Sequence, residues 1–212
     1  FCSRIRKVLK KAVDDGIFLK NPAEGIINRI DKNTVKKDVL TIDEIRLLYK
    51  TPCGNEEIKK SFLFGCFTGF RPSDIYNLKW KNVVGDTIQM EQSKTGVANM
   101  VKLKPEIIQL IGVRGNQDEY IFKLTNPKTG KLISLNGINT VLDNWVKKAG
   151  IQKNITAYCS RHSFGTNVYL YSKDIRSASL LLGHTNLENT IKYVRKAEQL
   201  ENEAIDKLPS FV

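Results

Sequence analysis

Five polar residues, Arg71, Lys94, Arg161, His184 and Tyr193, carry between them the groups needed to open a DNA phosphodiester. Two guanidiniums present parallel N–H donors that match phosphate oxygens and offset the extra charge of a pentacoordinate phosphorus. A lysine and a histidine can manage protons. A phenol can attack phosphorus and hold the cut end as an ester, which conserves the bond energy. Each residue sits in its own short motif: FTGFRPSD (67–74), SKTG (93–96), YCSRHSFGT (158–166), LLGH (181–184) and NTIKYV (189–194). Taken singly, each has a plainer reading: a surface Arg–Asp pair, a solvated turn lysine, a satisfied structural histidine, a packed tyrosine. The set, in this order and in these contexts, points to phosphoryl transfer.

The neighbours refine the roles. Asp74 lies three residues after Arg71 and can orient its guanidinium while leaving donors free. Arg71 itself falls at the start of a helix, where the dipole disfavours a cation, so something else must hold it there. Arg161 is predicted at the beginning of a helix after Ser160. His162 follows directly, and adjacent helical residues point about 100° apart. It is therefore expected to brace the site through a backbone or carboxylate bond. His184 follows Gly183 at a helix break that should expose the imidazole. Tyr193 is expected near the end of a short helix.

These residues need a scaffold, and the periodicity supplies one. Thr41-x-x-Glu44 has capping-box spacing before the apolar Ile45, Leu47 and Leu48. A more apolar helix covers 56–68, Gly69 ends it, and Pro72 suits the next helix's first turn. VVGD (83–86) reads as a turn, TIQMEQ (87–92) as a strand, and NMVKLK (99–104) as a returning strand. Lys94 then sits in the tight connection between them. Helices follow at about 105–111, 135–149, 160–171, 174–182 and 187–194, with Gly183 a stop and Asn186 a cap. Residues 1–16 read as the end of a basic amphipathic helix closed by Gly16. IDKNTVKKDV (30–39) is polar and linker-like. The stretch 195–208 carries an apolar stripe of Ala197, Leu200, Ala204 and Leu208, suited to its own domain or to a neighbouring subunit's groove.

Composition narrows the partner. The 212 residues include 34 Lys and Arg against 22 Asp and Glu, a net charge of +12. Such an excess favours a polyanion, most simply nucleic acid. No apolar run approaches the roughly 18 residues that span a bilayer. Four scattered cysteines and two histidines make a zinc site an unpromising reading. Cys66 and Cys159 are expected as buried thiols, and a reducing cytoplasm fits best.

The motifs together resemble the catalytic domain of tyrosine recombinases, the phage integrase family, over about 39–195. FTGFRPSDIYNLKW (67–80) is similar to the family's first-arginine box, and SKTG to its lysine hairpin. ITAYCSRHSFGTNV (155–168) is similar to the second-arginine box, and LLGHTNLENTIKYV (181–194) to the segment ending in the nucleophile. The resemblance implies a mainly helical α+β fold with a small antiparallel sheet. It further implies a remnant of a core-binding domain at 1–28, a linker at 29–38, a catalytic domain at 39–195 and a tail helix at 196–212 for subunit exchange. The implied activity is site-specific recombination of double-stranded DNA by a homotetramer. It runs through a 3′-phosphotyrosyl intermediate, without metal, cofactor or ATP, in the bacterial cytoplasm, with accessory DNA-bending proteins among the partners the resemblance implies. Rival readings are relaxation of DNA by a type IB topoisomerase-like activity and non-catalytic DNA binding. In the implied site Tyr193 attacks, Arg71 and Arg161 grip the phosphate, Lys94 protonates the leaving oxygen, and His184 supports. One position departs from the pattern: the histidine usual three residues before the second arginine is Tyr158. A free phenol has a pKa of about 10 and is a poor base at neutral pH. Tyr158 is then a phosphate donor, and proton removal falls elsewhere.

Overall fold

The computed structural model describes residues 2–26, 38–91, 96, 98–126, 129–184 and 186–205. They fall into two units, 1–36 and 37–212. The first holds helix α1 (Cys2–Asp14). Gly16 follows it with φ 74°, a left-handed turn that a side chain disfavours. Lys11 pairs with Asp15 one turn on, at 2.8 Å.

The second unit is mostly helical. Helix α2 (Ile42–Lys50) starts from the predicted capping box: Thr41 accepts from the Glu44 N–H while Glu44 accepts from the Thr41 N–H. Helix α3 (Glu56–Thr68) ends at Gly69 in the left-handed conformation, φ 70°. Helix α4 (Pro72–Tyr76) opens with proline in its first turn. Three antiparallel strands follow, β1 (Val83–Val84), β2 (Thr87–Glu91) and β3 (Ala98–Lys102), in the order β1-β2-β3. The reading of 83–86 as a turn alone missed β1, which is only two residues long. Ile88 faces Val101 across β2 and β3, and both are buried. That pair pins the register, since a one-residue slip would turn it out to water.

Helices α5 (Pro105–Ile111), α6 (Leu135–Lys148), α7 (Ala157–Ser172), α8 (Ile175–Leu182) and α9 (Glu188–Ile205) complete the unit. The two most buried helices are α3 and α7. Ile58, Phe62, Phe64 and Cys66 bury one, Cys159, Arg161, Phe164 and Asn167 the other. They can touch because Gly65 meets Ser160: a Cβ on Gly65 would lie 2.7 Å from Ser160 Oγ. Cys66 and Cys159 are buried thiols, and burial drives the Cys66 pKa well up. Segment 38–40 is tied to α7, because the Leu40 N–H donates to Ser163 and Asn167 donates to the Leu40 carbonyl.

Two predicted boundaries move. Helix α7 begins at Ala157, three residues before the expected start, because Thr156 caps it and its N–H donates to Cys159 Sγ at 3.3 Å. Arg161 therefore lies in the second turn rather than at the helix start. Helix α9 runs through 195 without a break, where a short helix and a separate tail were expected. No Gly or Pro interrupts 189–205, and Thr190, Tyr193 and Ala197 form one buried stripe. Ala197 packs within its own domain. Ala204 and Leu208, the stripe's outer half, lie outside the described side chains.

Candidate active site

The centre of the site is the Arg161 guanidinium, 4% exposed. Its Nη1 donates to the Gly69 carbonyl at 2.7 Å and its Nη2 to the Leu182 carbonyl at 2.8 Å. These carbonyls close the C-terminal ends of α3 and α8. Unused helix carbonyls carry partial negative charge, so the two ends together accommodate a buried cation. Burial, and then the neighbouring Arg71, push the Arg161 pKa down to about 10. It remains a cation at neutral pH, with N–H donors left for a phosphate.

Arg71 enters from the opposite kind of helix end. It is the N-cap residue of α4 and supplies no capping bond. Its Nη1 lies 3.9 Å from Oδ2 of Asp74, whose side chain is fully buried while Arg71 keeps 12% exposure. The buried carboxylate answers the electrostatic conflict expected of an arginine at a helix N-terminus.

Tyr193 projects from the middle of α9, not from the end of a short helix, and is 3% exposed. Its hydroxyl lies 3.2 Å from His162 Nδ1. Burial raises its pKa, while Arg161, which also hydrogen-bonds it, and then Arg71 pull the other way. The ring packs against the backbone of α7 at Gly165, where a Cβ would come within 3.1 Å of it. Lys192 Nζ lies 4.9 Å from the ring centroid, a cation over a π face.

His184 is half-buried, not exposed as expected. Gly183 turns the chain left-handed, with φ 61°, and the His184 N–H closes the helix end on the Ser179 carbonyl. The imidazole then lies parallel to the Tyr193 ring, centroids 6.1 Å apart, with Nδ1 2.9 Å from Thr190 Oγ1. Burial, then Arg161, Lys192 and Arg71, lower its pKa to about 4. At neutral pH it is uncharged.

His162 departs most from expectation. Its Nδ1 meets the Tyr193 phenol rather than bracing the site only through backbone or carboxylate. Adjacent positions on α7 diverge, yet Tyr193 lies between them and is met by both Arg161 and His162. Tyr158 stands one turn before Arg161, is 39% exposed and neighbours Tyr76. Lys94 lies at 92–95, outside the described residues. β2 and β3, which flank its connection, pair as far as Glu91 and Ala98.

The structure thus gathers Arg71, Asp74, Arg161, His162, His184 and Tyr193. Sequence reasoning missed Thr190, the Gly69 and Leu182 carbonyls, Lys192 and Gly165. Of these, only Gly165 announces itself, as a glycine inside a helix. Among the described residues no three His, Cys, Asp or Glu side chains assemble into a metal-ligand set, and no helix is long and apolar enough to cross a membrane.

Known proteins share this arrangement of elements. The chain is 28% identical over 207 residues to a tyrosine recombinase of Thermosipho africanus, covering 91% of the chain and 69% of that protein. It is 28% identical over 204 residues to tyrosine recombinase XerC of Yersinia pestis, covering 90% and 65%. The chain thus spans about two thirds of the length of these curated relatives. The fold matches a lambda integrase dimer bound to a COC′ core site with a TM-score of 0.69 at 20% identity, covering 90% of the chain and 70% of the integrase. It matches XerA recombinase with a TM-score of 0.62 at 23% identity, covering 82% and 66%. The sequence profile of the phage integrase family matches residues 38–199, which include every side chain gathered around Arg161, and the chain belongs to that family.

Proposed function

We propose that this chain is the catalytic part of a site-specific recombinase that cuts and rejoins double-stranded DNA through Tyr193. The observation that carries the reading is the convergence of Arg161, His162 and His184 on one buried phenol. A merely structural tyrosine does not need a buried arginine held between two helix ends. Relatives named tyrosine recombinases and a matching lambda integrase dimer on DNA support the same reading.

In this mechanism a scissile phosphate docks between Arg71 and Arg161, which hold its nonbridging oxygens. Asp74 keeps Arg71 oriented. The uncharged His184 accepts the Thr190 hydroxyl at Nδ1 and so offers Nε2–H to a phosphate oxygen, a role that an imidazole with a lowered pKa fills at neutral pH. Tyr158 adds a further hydroxyl donor. The Tyr193 oxygen forms a bond to phosphorus as the bond to the 5′ oxygen breaks, and Lys94 gives that oxygen its proton. The 3′-phosphotyrosyl link stores the bond energy. A 5′-hydroxyl of the partner strand then attacks the link and releases the phenol. Two rounds of exchange need four protomers; a lambda integrase tetramer on a Holliday junction shares this fold, which supports a homotetramer. The stripe beyond Ala197 on α9 is the segment that links one subunit to the next, and residues 1–28 are the end of a core-binding domain. The protein works on DNA in the bacterial cytoplasm, with DNA-bending partners at its sites.

The test is a trapped adduct. The full protein is incubated with fragmented DNA from its source, denatured in SDS, and DNA-bound peptides are identified by mass spectrometry. Attachment at Tyr193, lost in Tyr193→Phe, is the expected result, and sequencing the attached ends gives the site. Intact DNA binding with no adduct would move the protein to the non-catalytic reading. Relaxation of plasmids lacking that site would move it to a topoisomerase-like one.

A further inference from the structure

Tyr193 must lose a proton to attack, and the position where the family usually places a histidine holds Tyr158. We propose that His162, through Nδ1, is the proton acceptor for Tyr193 in DNA cleavage and returns that proton when the strands rejoin. The inference rests on Tyr193 being the nucleophile.

Among the described residues, geometry sets the other neighbours of the phenol apart. His162 Nδ1 is 3.2 Å from the phenol oxygen, within direct transfer distance. Arg161, which also bonds the phenol, is a cation with donors only. Lys192 lies over the ring face, its Nζ 4.9 Å from the centroid. His184 commits Nδ1 to Thr190 and stacks on the phenol ring. His162 is left as the imidazole whose nitrogen reaches the oxygen. It sits on α7, the same buried helix that positions Arg161, so base and phosphate grip share one rigid support.

The step balances. The O–H proton of Tyr193 passes to Nδ1 of His162, giving an imidazolium. The freed oxygen pair forms the bond to phosphorus, the bond from phosphorus to the 5′ oxygen breaks, and that oxygen takes a proton from Lys94. On rejoining, the incoming 5′-hydroxyl gives its proton to the lysine, and the departing phenolate recovers its own from His162. Burial favours the neutral phenol, so an ordinary solvent base could not substitute efficiently. Gly165 contributes by admitting the phenol ring close to the α7 backbone.

Two measurements test this. The chain has two histidines, so ¹⁵N-histidine labelling gives two ring systems, assigned with a His184→Gln variant. At pH 7.5 the His162 Nδ1 resonance should be that of an unprotonated acceptor and should move in Tyr193→Phe. A proton resident on Nδ1, as tautomer or as imidazolium, overturns the proposal. The second measurement is single-turnover adduct formation by the full protein on a nicked duplex carrying the site recovered by trapping. His162→Gln keeps a polar partner for the phenol but cannot hold the proton, and should slow the step about 100-fold or more. Replacing Tyr193 by a fluorinated tyrosine of lower phenol pKa should restore much of the rate in the His162→Gln background. Wild-type speed in His162→Gln, or no rescue by fluorination, overturns the assignment. Absence of any Tyr193 adduct in the unmodified protein would instead refute the nucleophile, a failure distinct from a wild-type rate in the histidine variant.

Discussion

Arg71 and Arg161 bring the same guanidinium to one site from opposite helix ends. Arg161 lies between the C-termini of α3 and α8 and is paired with their carbonyls. Arg71 lies at the N-terminus of α4 and depends on the buried Asp74. The first is part of how the domain holds together as well as of how it grips phosphate. The second faces the buried Asp74 carboxylate at 3.9 Å and stays partly open to solvent. A cation at a C-terminal helix end is favourable by itself, whereas one at an N-terminal end must be compensated. Loss of Arg161 should therefore damage fold and function together, whereas loss of Arg71, with the buried Asp74 neutralised alongside it, should damage function more than fold.

The strongest way to break that contrast is Arg161→Ala. Two hydrogen bonds from a charged group are lost, each worth about 1.5–3 kcal/mol, and the ends of α3 and α8 lose their shared partner. We expect a loss of about 3 kcal/mol in urea unfolding, together with loss of the Tyr193–DNA adduct. Arg161→Lys should recover little, because one ammonium cannot reproduce the planar fork that spans both carbonyls. A stability close to the unmodified protein would show that the two helix ends do not need the guanidinium.

Gly69→Ala approaches the same joint from the backbone. Gly69 has φ 70°, and a Cβ there would lie 2.3 Å from Phe164 Cδ1. The substitution meets an unfavourable backbone region and a ring that must move, together costing about 2 kcal/mol or more. The carbonyl that holds Arg161 would shift with it. Shrinking the ring in Phe164→Leu should relieve part of the clash, so the double variant should be more stable than the sum of the single losses predicts. Strict additivity in urea unfolding would disprove the contact.

Arg71→Ala sharpens the contrast from the other side. Adduct formation should fall by about 100-fold or more, since one of two phosphate clamps is gone. Alone it also removes the cation that faces the buried Asp74 carboxylate, so stability is read in Arg71→Ala/Asp74→Asn, where it should fall less than in Arg161→Ala. Asp74→Asn should also slow adduct formation, but less, since the guanidinium remains and only its orientation suffers. An equal loss of stability in Arg71→Ala/Asp74→Asn and Arg161→Ala, measured by urea midpoint, would erase the distinction between the two arginines.

Local chemistry made much of this legible in the sequence. The Thr41 box, Gly69, Pro72 and Gly183 are punctuation whose meaning is set by backbone sterics and capping, and each bounds the element it was expected to bound. Motif context selected Tyr193 among seven tyrosines, and the structure surrounds it with Arg161, His162 and His184. The errors lie where local signals are weak or contacts are distant. Thr156 is an ordinary cap whose partner is a cysteine, so the start of α7 was read late. Nothing in 194–196 marks a helix end, and the motif boundary there is not a structural one. The angle between His162 and Arg161 on one helix carries no trace of a partner that arrives from α9, 31 residues along the chain. Thr190 could not be linked to His184 without knowing how α9 returns beside α8.

The smallest effect is a pH dependence that separates the two ends of the site once more. His184 lies beside α8's C-terminus, yet burial and the cations Arg161, Lys192 and Arg71 lower its pKa from 6.5 to about 4. An unfolded chain takes up that proton near pH 6.5, whereas the folded chain resists it until about pH 4. Between those values the unfolded state binds more protons, so stability falls as pH drops through the window and is fully retained above it. Urea midpoints measured from pH 7 to pH 4 should decline in the unmodified protein and decline less in His184→Gln. Saturating DNA should flatten the slope too, because a phosphate beside the imidazole favours its charged form and offsets the repulsion from Arg161. Equal slopes with and without His184 would place the acid sensitivity on other groups, and would mean that the carbonyls gathered around Arg161 also neutralise the field felt by its neighbour.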